Sequence, residues 1–156
     1  GKRNTWQISM SLLLLAFALF YYSQINSLQE LIVLVCLIGI ASGAGGVLFW
    51  SMLPDTIEYG EWKSGIRSES SLYGFMTFAQ KSSIAVAALI LGVLLTSINF
   101  TPNAVQTPET LVGLKNIMSL IPASGIAISI FLMYFYPINS EYHKQLLINI
   151  EERKNG

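Results

Sequence analysis

One lysine stands within a stretch that otherwise carries no charge. Lys81 falls about ten residues into an apolar run that continues uncharged from Ser82 to Phe100, about 15 Å deep at a rise of 1.5 Å per residue. An ammonium at that depth strains the reach of a snorkelling side chain and calls for an acid, water or a ligand. No acid in the chain falls at a matching depth. Tyr73, Thr77 and Lys81 recur every four residues, with Gln80 beside them, so one helix face carries a polar ladder suited to lining a substrate or cation pathway. The bland alternative is a misplaced helix boundary with Lys81 snorkelling to the surface.

The second constellation precedes it. Residues 54–81 read PDTIEYGEWKSGIRSESSLYGFMTFAQK and hold Asp55, Glu58, Glu61 and Glu69, four of the nine acids, with Lys63, Arg67 and Lys81 of the nine bases. Alternating signs predict ion pairs at a surface, each worth only about 0–1 kcal/mol when exposed. Their larger use is to favour one conformation of a moving interface, since only the difference between states counts. Asp55, Glu58, Arg67 and Glu69 are therefore candidate gating residues; a solvated turn is the alternative.

No catalytic set is present. There is no serine nucleophile motif, zinc-ligand spacing or phosphate-binding glycine loop, and His143 reads as an ordinary tail residue. Cys36 is the single cysteine, which excludes an internal disulfide or a cysteine-rich metal site; within its apolar run it reads as a small buried hydrophobe. We expect no enzyme, no metal and no cofactor.

The elements that hold these residues are membrane-length. Of the 156 residues 53% are apolar and 12% charged, with mean hydropathy +0.54, against about 25% charged in soluble domains. A chain this short has too much surface to hide that apolar content. The fold class is all-α integral membrane with four transmembrane helices: spans of about 6–25, 31–53, 71–98 and 120–136. Residues 54–70 form the loop between the second and third, its first part a short continuation of helix ending at Gly65. Gly39, Gly43, Gly45 and Gly46 with Ala41, Ser42 and Ala44 put small residues on several faces of the second span, for close helix packing or for lining a pathway. Thr107, Pro108 and Glu109 mark a helix start. Lys115, Asn116 and Pro122 then favour an interfacial amphipathic helix over 108–119 rather than one long kinked helix. Residues 137–156 form a tail with an amphipathic helix, Tyr142, Leu146 and Ile150 being four apart. The lack of an initial methionine suggests a piece of a longer product.

Orientation follows from the basic residues. Lys2, Arg3, Lys63, Arg67, Lys144, Arg153 and Lys154 share one side of a four-span layout, and the opposite loops 23–30 and 99–107 have none. The positive-inside rule puts both termini and the 54–70 loop in the cytoplasm. No basic patch suggests nucleic acid. A transporter part fits best; a small accessory or structural membrane protein is the competing class, though it has no reason to bury an unpaired Lys81.

PDTIEYGEWKSGIRSE, the lysine of FMTFAQK twelve residues after Glu69, QTPETLVGLKNIMSLIPA and FYPINSEYHKQL together resemble the glycoside–pentoside–hexuronide:cation symporters, the melibiose permease type of the major facilitator superfamily. The resemblance covers nearly the whole chain. It implies twelve transmembrane helices in two bundles, of which this chain is similar to the last four, part of the C-terminal bundle. It implies sugar or glycoside uptake coupled to sodium or proton, with the bilayer, a sugar or glycoside, and the N-terminal helices of the same permease as partners in a multi-pass, bacterial inner-membrane protein. By the same resemblance Lys81 matches a lysine near the central sugar and cation sites, and Asp55 and Arg67 match charged residues of the conformational cycle. The main cation-coordinating acids would lie in the N-terminal bundle, so these residues alone are expected to transport nothing.

Overall fold

The computed structural model describes residues 1–25, 27–138 and 140–155, and the side chains of all of these except 140, 154 and 155. Five helices follow in order: α1 (Lys2–Tyr22), α2 (Leu28–Ser64), α3 (Glu69–Ser97), α4 (Pro108–Tyr134) and α5 (Ser140–Asn155). The first four are long and apolar enough to cross a membrane. Their ends are written locally. The Ser27 hydroxyl caps α2 by accepting from Glu30 N at 3.2 Å, and Gly65 ends it in the left-handed region, φ 74°, where only glycine sits without steric cost. Thr107 caps α4 by accepting from Thr110 N at 3.2 Å, with Pro108 in the first turn as expected.

Helix α1 is the centre of the packing. Its buried residues Trp6, Ser9, Leu13, Ala16 and Phe20 form one stripe with spacings of three and four, and α1 lies against both α2 and α4. Helix α5 folds back on α2, while α3 touches α2 only slightly and buries no residue. Apolar side chains such as Phe75, Phe78, Ile84, Leu89 and Val93 are all exposed on α3. A helix that apolar and that uncovered is stable only against lipid or further protein.

One of the two proline-marked boundaries falls elsewhere than the sequence placed it. Helix α2 continues through Pro54 for ten more residues and ends at Gly65, as the sequence reads, so the non-helical connection to α3 is 65–68. At 37 residues it is about 55 Å long, well beyond a hydrocarbon core of about 30 Å, so its charged end stands clear of that layer. Helix α4 is likewise continuous through Pro122; no break separates 108–119 from the rest. Proline removes one backbone bond and crowds the preceding turn, but the flanking apolar turns in each helix keep their bonds.

Cys36 is exposed, not a buried hydrophobe, because the N-terminal half of α2 has no neighbour on that side. Of the small residues in α2 only Gly45 is buried. A Cβ there would stand within contact distance of Met10, overlapping its terminal methyl. At Gly113 of α4 a Cβ would meet Ile98 Cγ2 at 2.8 Å and Cβ at 3.1 Å. Methionine yields by rotating three bonds, whereas β-branched isoleucine is stiff. Gly113→Ala should therefore cost about 1–3 kcal/mol and Gly45→Ala clearly less, read as thermal midpoints in detergent. Equal losses would contradict this packing.

Candidate functional site: an ion-pair cluster at one end of the bundle

Four helices meet where α2 becomes charged. Pro54 lies one residue before Asp55, and the helical spacing puts Asp55 and Glu58 on neighbouring positions of one face. Asp55 is 7% exposed. The Lys2 ammonium, from the first turn of α1, stands 2.7 Å from Asp55 Oδ1 and donates to Ser51 O at 3.0 Å. From α5, His143 Nε2 reaches Glu58 Oε2 at 2.5 Å and Asp55 Oδ1 at 3.5 Å. Helix α5 is held there by packing: Leu146 is buried, as are Ile138 just before α5 and Ile57 of α2. Tyr142 sits 6.3 Å, centroid to centroid, from both Tyr59 and Trp62. Arg153 donates to Trp62 O at 3.3 Å.

A second group of ions pins the end of α2. Arg67 NH1 donates to Glu61 Oε2 at 3.0 Å, and its Nε and NH2 both reach Glu69 Oε2 at 3.2 Å. The hydrogen bonds to Glu61 and then to Glu69 push the Arg67 guanidinium further up from its ordinary value, so it stays charged. Glu61 is buried and Glu69 is exposed. Arg67 thus links the last turns of α2 to the first turn of α3. Arg3 closes the other side: its NH2 donates to Tyr134 O at 3.0 Å and its guanidinium lies 5.8 Å from the Tyr134 ring centroid, a cation–π distance.

Tyr136, just past α4, faces the same region. Burial is the main cause pushing its phenol up, the Asp55 charge adds to it, and the Thr56 hydroxyl opposes it. Its hydroxyl is buried and makes no hydrogen bond of good geometry among the described residues. Thr56 itself donates to Met52 O at 3.1 Å.

The structure brings Asp55 and Glu58 together with Lys2 and His143, and Arg67 and Glu69 together with Glu61. Lys2 is legible in the sequence only as an orientation signal, and His143 as an ordinary tail residue; no local pattern announces either contact, because both partners lie more than fifty residues away. The side chain of Lys154, counted among the basic residues of this side, lies outside the described residues. The polar ladder is elsewhere. Tyr73, Thr77, Gln80 and Lys81 are exposed on α3, the Thr77 hydroxyl donates to Tyr73 O at 2.8 Å, and Lys81 makes no hydrogen bond or ion pair among the described residues. Lys115, read as an interruption of α4, has a partner instead: its half-buried Nζ donates to Ser23 O at 2.6 Å, tying α4 to the end of α1 away from the ion-pair cluster.

Residues 1–140 match the family model described as MFS/sugar transport protein. The chain belongs to this family. It is similar over 99% of its length to the glucuronide carrier protein homolog of Escherichia coli (strain K12), with 29% identity and 34% of that relative covered. The "Putative sulfoquinovose importer" of the same organism is 33% identical over 99% of the chain and 33% of its own length. The uncharacterized symporter YjmB of Bacillus subtilis (strain 168) is 30% identical over 98% of the chain and 33% of its own length. The MFS/sugar transport chain thus spans about a third of the length of the curated relatives it matches. Those relatives are transporters and not enzymes, and the four apolar helices make the chain a multi-pass membrane protein. The resemblance to the glycoside–cation symporters stands on the same matches.

Proposed function

We propose that these residues are the C-terminal part of a secondary transporter that takes up an anionic sugar or glycoside together with sodium or a proton. The observation that carries the reading is Lys81, a cation on an exposed membrane-length helix of a sugar-transport chain, without a partner among the described residues. An ammonium in that position favours a carboxylate or sulfonate on the cargo, in keeping with the glucuronide and sulfoquinovose named for two relatives. Tyr73, Thr77 and Gln80 complete the polar face. Further helices of the same permease cover α3 and supply the coupling acids, since alternating access needs both halves. The ion-pair end lies in the cytoplasm of a bacterial inner-membrane protein, with both termini, and Asp55, Glu58, Arg67 and Glu69 act there as a gate.

The test is uptake of a labelled glucuronide and a labelled neutral galactoside by cells making the product of the whole reading frame, with and without sodium. Concentrative uptake of the glucuronide, collapsed by a protonophore or by sodium removal, is expected, and none from the 156 residues alone. Uptake of both sugars unchanged under both treatments would sink the coupled reading; preference for the neutral sugar would sink the anionic one.

A further inference from the structure

We propose that Asp55, Glu58 and His143 form a site for a divalent transition-metal cation of the zinc class, which fastens α5 to the charged end of α2. One oxygen from each carboxylate and one imidazole nitrogen lie within 4.8 Å of one another. That donor set of one nitrogen and two oxygens suits zinc and its neighbours better than calcium or magnesium, which take oxygen ligands. Three protein ligands leave a fourth position for water.

The neighbourhood supports a cation. Two carboxylates face a single ammonium, Lys2, which is 46% exposed at its side chain and already holds Ser51 O as a second anchor. Lys2 can therefore yield Asp55 Oδ1 without losing all its bonds. Ligand atoms around tetrahedral zinc stand roughly 3.3 Å apart, so the half-buried Glu58 carboxylate must draw back from its 2.5 Å contact with His143, while the widest ligand pair, at up to 4.8 Å, must close.

The consequence is a clamp between residues 85 positions apart. His143 follows the end of the family match at residue 140, and the proposal stands on side-chain geometry, whether or not the bundle carries a sugar.

The test titrates zinc chloride into the purified full-length protein in nanodiscs, with a tag free of histidine and with Cys36→Ser to remove the competing thiol. Wild type should bind zinc in the micromolar range, unaffected by excess magnesium. His143→Gln and Glu58→Gln should each weaken that binding by about tenfold or more. X-ray absorption at the zinc edge of the wild-type complex should show an imidazole shell with oxygen ligands, a readout that does not depend on a variant folding. Zinc binding that is absent, or unchanged in both variants, overturns the proposal. So does an absorption spectrum without imidazole.

Discussion

Lys81→Met in the product of the whole reading frame is expected to lower sugar uptake by at least about 100-fold while the amount of protein in the membrane stays level or rises. Placing a lysine at mid-membrane costs about 2.5–3.5 kcal/mol on insertion scales, so a charge without use is a burden that methionine relieves. Within these residues Lys81 is exposed, on a helix that buries no residue, and the amount of protein in the membrane separates loss of transport from loss of folding. The 100-fold figure follows from removing one member of a desolvated charge pair, about 3 kcal/mol or more. Lys81→Arg should recover only part, because a planar fork replaces a point charge. Near-normal uptake by Lys81→Met would mean that the side chain snorkels and that the cargo is recognised elsewhere.

Lys2→Asp should reduce uptake by about tenfold or more, and the exchange Lys2→Asp with Asp55→Lys should restore part of it. The single change sets two carboxylates where an ion pair at 2.7 Å stood, beside a third on Glu58. Because Asp55 is buried and Lys2 is half exposed, removing the ammonium costs less than the 3–5 kcal/mol of a fully buried pair, about 1–3 kcal/mol. That energy belongs to whichever conformation joins α1 to α2, and a transporter that must close and reopen this end loses rate when one state weakens. Partial rescue by the exchange isolates the pair from the separate effects of each residue. An uptake rate untouched by Lys2→Asp, with the protein folded, would reduce the cluster to a solvated surface.

How much of this was legible in the sequence depends on the range of the interaction. The four membrane-length helices follow from runs of apolar residues, and several of their ends from Gly65, Thr107 and Pro108, all signals read within a few residues. Pro122 misled the boundary of α4 because a single lost backbone bond does not outweigh intact helical turns on both sides. Cys36 was placed inside by its hydrophobic company, yet burial depends on a neighbouring helix and α2 has none there. The sign alternation of Asp55 to Glu69 foretold ion pairs, and Arg67 found Glu61 and Glu69 within six residues. It could not say that Lys2 and His143 would complete Asp55 and Glu58, since chain separations of 53 and 85 residues are bridged only when α1 and α5 pack on α2.

The sequence by itself thus determined the membrane, the number of membrane-length helices, and the isolation of Lys81 from any acid nearby in the chain. Each rests on the transfer energy of side chains and backbone between water and lipid, a property that is additive along the chain. The tertiary structure alone decided which faces are covered, which ions meet, and that His143 stands between two carboxylates. Those outcomes are set by the packing of α1 and α5 on α2 and of α1 on α4, contacts between distant segments that no local pattern encodes.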